Sequence, residues 1–205
     1  MRALMTALER FINGAECDLD PLTRMAVIHH QFESIHPFPD GNGRIGRIIN
    51  VLFLTRCDLL DIPILYLSRF VTQNKAEYYR LLQAVRDTGE WESWLLYMLS
   101  GVEETAIESL HLVEGIQLLM ADTKRRLREQ HPKLYSQDLL NNLFRYPYTR
   151  VEFVQQELNV SRPTATKYLD ELAQGGLLLK HRAGRNNYYI NQSLVELFVK
   201  REAGR

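Results

Sequence analysis

Apolar residues recur at helical spacing along most of this chain. In DLDPLTRMAVIHHQFESI, Leu22, Met25, Ala26, His29 and Phe32 share one helical face, Asp20 offers an N-cap, and Pro21 suits the first turn. That helix is expected to end before Pro37. A second is predicted to start around Asn42 to Arg44, with Ile45, Ile48, Ile49, Leu52 and Phe53 on its apolar side. Further helices are read in NKAEYYRLLQAVRDT, in EWESWLLYMLSGV and in ETAIESLHLVEGIQLLMADTKRRLREQ, the last rich enough in Leu, Ile and Val to pack along a bundle. Residues 1–130 are therefore predicted to form an all-α domain.

The pattern changes at HPKLYS. Pro132 breaks the preceding helix, and TKRRLREQH reads as its solvated end, so a second module is expected over residues 131–205. It contains three helical strings, YSQDLLNNLFRYPY, TRVEFVQQELN and VSRPTATKYLDELAQGG, the last with Ser161 as cap and Gly175 as stop. Two β-rich strings follow, LLLKHR and NNYYIN, separated by AGR. Helices followed by a small β-hairpin give the order of a winged helix-turn-helix. The fold class read from the sequence is mainly α, a helical bundle core with this module appended, without internal repeat or low-complexity segment.

Composition narrows the function classes. The 205 residues carry a formal net charge of zero, so no whole-chain attraction to nucleic acid or anionic membrane is implied. Cys17 and Cys57 match no metal-ligand spacing and no disulfide framework; they are read as buried, inert small hydrophobes in a reducing cytoplasm. No apolar run approaches the roughly 20 residues of a membrane span, and MRALMTALERFING lacks the apolar stretch of a signal peptide. A soluble cytoplasmic protein without a membrane partner is expected.

The chemistry is concentrated in HPFPDGNGRIGR, residues 36–47. Gly41, Asn42 and Gly43 precede a helix whose first N–H groups lack partners within it, and glycines let an oxyanion approach the backbone: this is an anion cradle. Arg44 and Arg47, three apart, project from the same side of the first turn and can clamp a polyphosphate. Asp40 at the cradle's mouth would repel phosphate unless it held Mg²⁺ bridging phosphate oxygens. His36 is the side chain there whose unperturbed pKa, near ~6.5, suits a general base taking a proton from a hydroxyl. Alone, a Gly-Asn-Gly loop is usually a turn and an arginine pair usually a solvated face. Their conjunction with a base and a carboxylate describes transfer of a phosphorus-centred group. His29 and His30, beside the apolar stripe of the preceding helix, are read as packing or surface residues, and Phe38 as an anchor pinning the loop into the core.

These twelve residues resemble the Fic-family signature, H-P-F-x-(D/E)-G-N-G-R-x-x-R, at every defining position. The similarity runs on through FESIHPF before the motif and through PILYLSRF and KAEYYRLLQAVRDTGEWESWLLYML after it, and the C-terminal module resembles the winged helix that follows many Fic cores. The resemblance implies an α-helical enzyme, a protein adenylyltransferase that moves AMP from ATP, with Mg²⁺, onto a Ser, Thr or Tyr hydroxyl of a target protein and releases pyrophosphate. It implies that His36 is the base, Asp40 the metal ligand, Gly41 to Gly43 the anion hole, and Arg44 and Arg47 the phosphate clamp. Tyr78, Tyr79 and Arg86 fall where family members contact the nucleotide. Similar cores carry a β-hairpin flap and, in many, an inhibitory (S/T)-x-x-x-E-(G/N) helix before the segment at Asp20. Neither is evident, and LVEGI around Glu114 has Leu110 where Ser or Thr belongs, so the chain is expected to be a fragment or a short, deregulated form.

Other readings stay open from sequence. The winged helix could make the chain a nucleotide-sensing DNA-binding regulator, with Arg162, Thr164 and Lys167 on its recognition helix and Lys180, Arg182 and Arg185 along the wing. It could instead mediate protein contacts, including a homodimer. A Fic variant that uses another nucleotide or removes AMP is the third reading.

Overall fold

The computed structural model describes residues 1–14 and 18–203, with side chains described through residue 199; Cys17 lies outside the described residues. The chain separates into two compact units, Met1–Ser109 and Leu110–Arg205. The division falls inside one long helix rather than at Pro132.

The first unit contains α1 (Arg2–Asn13), α2 (Pro21–Ile35), α3 (Asn42–Arg56), α4 (Leu67–Gln73), α5 (Lys75–Thr88) and the first half of α6 (Glu92–Gln130). At the start of α2, Asp20 caps the helix by accepting from the amides of Leu22 and Thr23, and Pro21 occupies the first turn. Met25, Ala26, Ile28, His29 and Phe32 of α2 are buried at the centre of the core. Trp94 on α6, fully buried, donates its indole N–H to the Ala26 carbonyl at 3.0 Å, which ties α6 to α2. In α1, an element additional to those expected, Leu8 is buried, and Met5, Phe11 and Ile12 pack beside it against the same core.

Two expectations are corrected here. The buried face of α3 is Asn42, Gly46, Asn50, Phe53 and Leu54, whereas Ile48 and Leu52 are each 56% exposed. Close approach of α3 to α2 explains this: a Cβ on Gly46 would stand 2.8 Å from Glu33 Oε1 and 3.2 Å from the His29 ring. Small and polar residues therefore face α2, while of the expected apolar face Phe53 is buried, Ile45 and Ile49 pack against the core, and Ile48 and Leu52 do not. The second correction concerns α6, a single helix of 39 residues where two were expected. Gly101 does not stop it, because the residue is packed under Phe70, whose ring a Cβ there would meet at 2.6 Å.

The second unit holds the rest of α6, then α7 (Gln137–Arg145), β1 (Tyr148–Thr149), α8 (Val151–Leu158), α9 (Arg162–Gln174), β2 (Leu179–Ala183), β3 (Asn186–Ile190) and α10 (Gln192–Ala203). Met120 and Leu127 of α6 belong to its hydrophobic cluster with Leu139, Leu140, Val154, Leu169, Leu172 and Tyr189, which is why the division falls before Pro132. The three strands form an antiparallel sheet in the order β1-β3-β2. Leu179 pairs with Ile190 and Ala183 with Asn186, so the hairpin loop is Gly184 and Arg185, and Gly184 at φ 60° takes the left-handed conformation such a tight loop requires. This is the element order of the expected winged helix-turn-helix, with β1 and α10 in addition. Ser161 caps α9 and Gly175 ends it, both as predicted, and Gly176 takes the left-handed conformation at φ 69° just beyond.

Candidate functional site

At the end of α2 the chain must leave the helix and enter α3 within a few residues. His36 makes that exit in the left-handed conformation, at φ 49° and ψ 60°, while its amide still donates to the Phe32 carbonyl at 3.0 Å. Gly41 precedes α3 at φ 85°, a conformation that favours glycine. Between them the loop is stapled by Asn42, which is 2% exposed: its side-chain oxygen accepts from the Phe38 amide at 3.0 Å and its side-chain nitrogen donates to the Phe38 carbonyl at 2.6 Å. The Asn42 side chain is thus committed to the loop and unavailable to a ligand. Phe38 is held through its backbone; the residue is 44% exposed, with its ring 6.4 Å from that of the buried Phe32.

These turns form one wall of a pocket of about 520 Å³. His36, Asp40, Gly41, Asn42, Gly43, Arg44 and Arg47 line it, and so do Tyr78, Tyr79 and Arg86 from α5. All ten residues singled out in the first unit therefore converge on one concavity, and α4 and α5 close it with Thr72 and Lys75. The space over the first turn of α3 depends on its glycines, since a Cβ on Gly41 or Gly43 would lie 3.4 Å or 3.3 Å from the Arg44 or Arg47 guanidinium.

The two arginines differ in environment. Arg44 pairs with Asp40 at 3.1 Å, both side chains being largely exposed, so that contact is cheaply exchanged. Arg47 is held, its Nε donating to the Ser68 hydroxyl on α4 at 2.7 Å. Arg86 is anchored against α2, to the Ser34 hydroxyl at 3.1 Å and the Glu33 carbonyl at 3.0 Å. Sequence reasoning missed Ser68 and Glu33, which also lines the pocket.

The tyrosine pair splits by burial. Tyr78 is 3% exposed and shares a 2.9 Å hydrogen bond with His29 Nε2, and burial raises its hydroxyl pKa. It is chiefly a core residue with one edge at the pocket. Tyr79 is 56% exposed, with the Lys75 ammonium 5.9 Å from its ring centre, and presents aromatic surface to solvent. Of the packing and surface roles expected for His29 and His30, burial decides for packing.

Burial pushes the His29 pKa down from 6.5 to about 4, so the fold holds the ring neutral. The unfolded chain takes up that proton as pH falls below 6.5 and the folded chain does so only near 4. Stability is therefore full above that window and is lost on descending through it, by about 3 kcal/mol from this group. His30, also lowered by burial, acts in the same sense; Glu33, raised by burial, offsets part of the loss. Urea unfolding followed by the fluorescence of Trp91 and Trp94 is expected to show a midpoint that falls across this range, and a flat profile would contradict it.

In the second unit the proposed nucleic-acid contacts are only partly free. Arg162 pairs with Glu152 at 3.4 Å, Lys180 with Asp170 at 2.7 Å, and Thr164 lies in the capping contact of Ser161. Arg182 donates to the Gly184 carbonyl within the hairpin at 3.3 Å; Lys167 and Arg185 are exposed.

Residues 1–54 match the Fic/DOC family, and residues 119–194 match the C-terminal domain described as "Protein adenylyltransferase SoFic-like". Residues 1–54 are thus Fic-like sequence. Its relatives include a probable protein adenylyltransferase of Aquifex aeolicus, 37% identical over 57 residues, covering 28% of this chain and 18% of that protein. The protein adenylyltransferase fic-1 of Caenorhabditis elegans is 32% identical over 80 residues, 39% of this chain and 14% of its relative. The protein adenylyltransferase Fic of Drosophila melanogaster is 28% identical over 103 residues, 50% and 20% respectively. A Fic family protein from Desulfovibrio desulfuricans shares the fold, with a TM-score of 0.50 at 21% identity, covering 92% of this chain and 54% of that one. These matches span one fifth or less of the curated Fic relatives' length. Among the described residues no helix is long and apolar enough to cross a membrane.

Proposed function

We propose that this chain is a protein adenylyltransferase, moving AMP from ATP to a Ser, Thr or Tyr hydroxyl of a target protein with release of pyrophosphate. The observation that carries the reading is the convergence on one pocket of His36, the first turn of α3, and the Arg44 and Arg47 guanidiniums. In this reading the α3 amides and both arginines receive the phosphates, Tyr79 offers its exposed face to the base, and His36 takes the proton of the attacking hydroxyl. The relatives named above are adenylyltransferases, which supports the same assignment.

Asp40 suits a magnesium ion. Its carboxylate is exposed at the pocket rim and engaged only in an exchangeable pair. No cluster of three or more His, Cys, Asp or Glu stands among the described residues, so the chain would supply one carboxylate and leave phosphate oxygens and water to complete the shell. Bound there, the ion would neutralise charge on the polyphosphate.

Incubating the purified chain with labelled ATP, Mg²⁺ and a lysate, with intact-mass analysis of the modified bands, tests the transfer. Addition of one AMP is expected; addition of phosphate or another nucleotide, or loss of AMP from modified protein, would favour a variant chemistry. The phosphate clamp has its own test. Arg47→Ala should weaken ATP more than AMP in calorimetry, and Ser68→Ala should do the same by a smaller margin, about three- to tenfold, because it removes one hydrogen bond to a charged group. Equal losses for both nucleotides would remove Arg47 from the clamp.

A second reading concerns the C-terminal unit as a nucleic-acid-binding module. Residues 110–205 contain fifteen Lys and Arg against ten Asp and Glu, the reverse of residues 1–109 with ten against fifteen. This asymmetry supports binding of DNA through Lys167, Arg182 and Arg185, while the paired Arg162 and Lys180 weaken it. Fluorescence anisotropy with duplex DNA at rising salt decides: affinity falling steeply with salt supports the reading, and no binding at low salt rejects it in favour of protein contacts, whether with a target or a second copy.

A further inference from the structure

One buried carboxylate in this pocket has no assigned task. Glu33 stands on the last turn of α2, three residues before His36, and is 8% exposed. Its Oε1 has no hydrogen-bond partner, although it borders the pocket and lies against α3, where a Cβ on Gly46 would stand 2.8 Å from it and one on Gly43 3.8 Å. An unpaired buried carboxyl oxygen destabilises a fold by about 1–3 kcal/mol, so its presence beside a reaction site points to use rather than support.

The charged groups facing it are Arg47 from α3 and Arg86 from α5; His36 of the loop, Tyr78 of α5 and the neutral His29 of α2 are its other titratable neighbours. Arg47 is bonded to Ser68 and Arg86 to Ser34 and the Glu33 carbonyl. Of these groups, His36 is the one whose charge changes during the proposed reaction. Burial pushes the Glu33 carboxyl up, and a protonated His36 most of all, then Arg47 and Arg86, pull it back toward the charged form.

We propose that Glu33 is a positioning residue acting through His36: from the last helical turn and the same pocket wall, its carboxylate stabilises the imidazolium formed when His36 takes the hydroxyl proton. The inference rests on the AMP-transfer reading. In that step the target oxygen bonds to the α-phosphorus, the bond from that phosphorus to the pyrophosphate oxygen breaks, and the proton comes to rest on His36. Glu33 keeps its own protonation state and touches no reacting atom.

The test has an arm that needs no catalysis. The His36 imidazole is titrated by NMR, its signal identified by its loss in His36→Ala, in wild type and in Glu33→Gln. The midpoint is expected to fall by about one unit in the variant, a tenfold loss of proton affinity, because an ionised neighbour has been removed. Glu33→Asp, which keeps the charge but withdraws it by one methylene, should fall between the two, and it carries the comparison if the glutamine variant does not fold. An unchanged midpoint in a folded variant overturns the proposal. The second arm is the pH profile of transfer. The wild-type acid limb should report a coupled pair and the Glu33→Gln limb a single group, with kcat about tenfold lower and KM for ATP little changed. A raised KM with an unaltered profile would assign Glu33 to the nucleotide and overturn the proposal. A wild-type chain that transfers no AMP rejects the transferase reading, while the titration still decides whether Glu33 acts on His36.

Discussion

His36→Ala is expected to lower AMP transfer by about 10²- to 10⁴-fold while ATP affinity stays within experimental scatter. The rate falls because a positioned base contributes about that much when it removes a proton in the transition state. Affinity survives because the alanine leaves the clamp intact: Arg47 remains on Ser68, and Asn42 still staples the loop through Phe38. Single-turnover transfer and calorimetry on one preparation separate the effects. Wild-type turnover in the variant would remove His36 from the mechanism, and a matching loss of ATP affinity would make it a binding residue.

Trp94→Ala is expected to have the largest effect on folding, destabilising the first unit by about 3–5 kcal/mol. No surface of Trp94 is exposed, its ring lies 6.1 Å from that of His29 and nearly parallel to it, and its other aromatic neighbours are His30, Tyr78 and Tyr97. Truncation opens a cavity among four rings and leaves the Ala26 carbonyl without its donor. Against a typical total of about 5–15 kcal/mol, that is enough to populate unfolded molecules at physiological temperature. Urea unfolding read by the remaining Trp91 measures it, and a shift worth less than about 1 kcal/mol would show that the core closes over the gap.

The sequence made the helices of both units readable because caps and apolar period agreed, as at Asp20-Pro21 and at Ser161. The motif was readable for another reason: residues 36–47 are contiguous, so the chain itself brings base, cradle and arginines together. Contributions from distant segments were not readable. Ser68 is 21 residues from Arg47, and nothing local to PILYLSRF marks its hydroxyl as a clamp support. Glu33 looked like one more polar position on an amphipathic helix, and only the small residues of α3 packed over it reveal that it is buried. On α3 apolarity located Phe53, Ile45 and Ile49 but not Gly46 and Asn50, which close backbone approach selects for the buried face. Tyr78 and Tyr79 are adjacent in sequence yet point to core and pocket, a distinction set by packing against His29 and Trp94.

The double hydrogen bond between Asn42 and Phe38 also bears on how quickly a nucleotide can bind. A loop closed by its own amide staple has its conformational entropy removed during folding, before any ligand arrives. Nucleotide entering the cradle then meets backbone amides already in place. Association should follow a single exponential whose rate rises linearly with concentration, without the plateau that a slow loop rearrangement would impose.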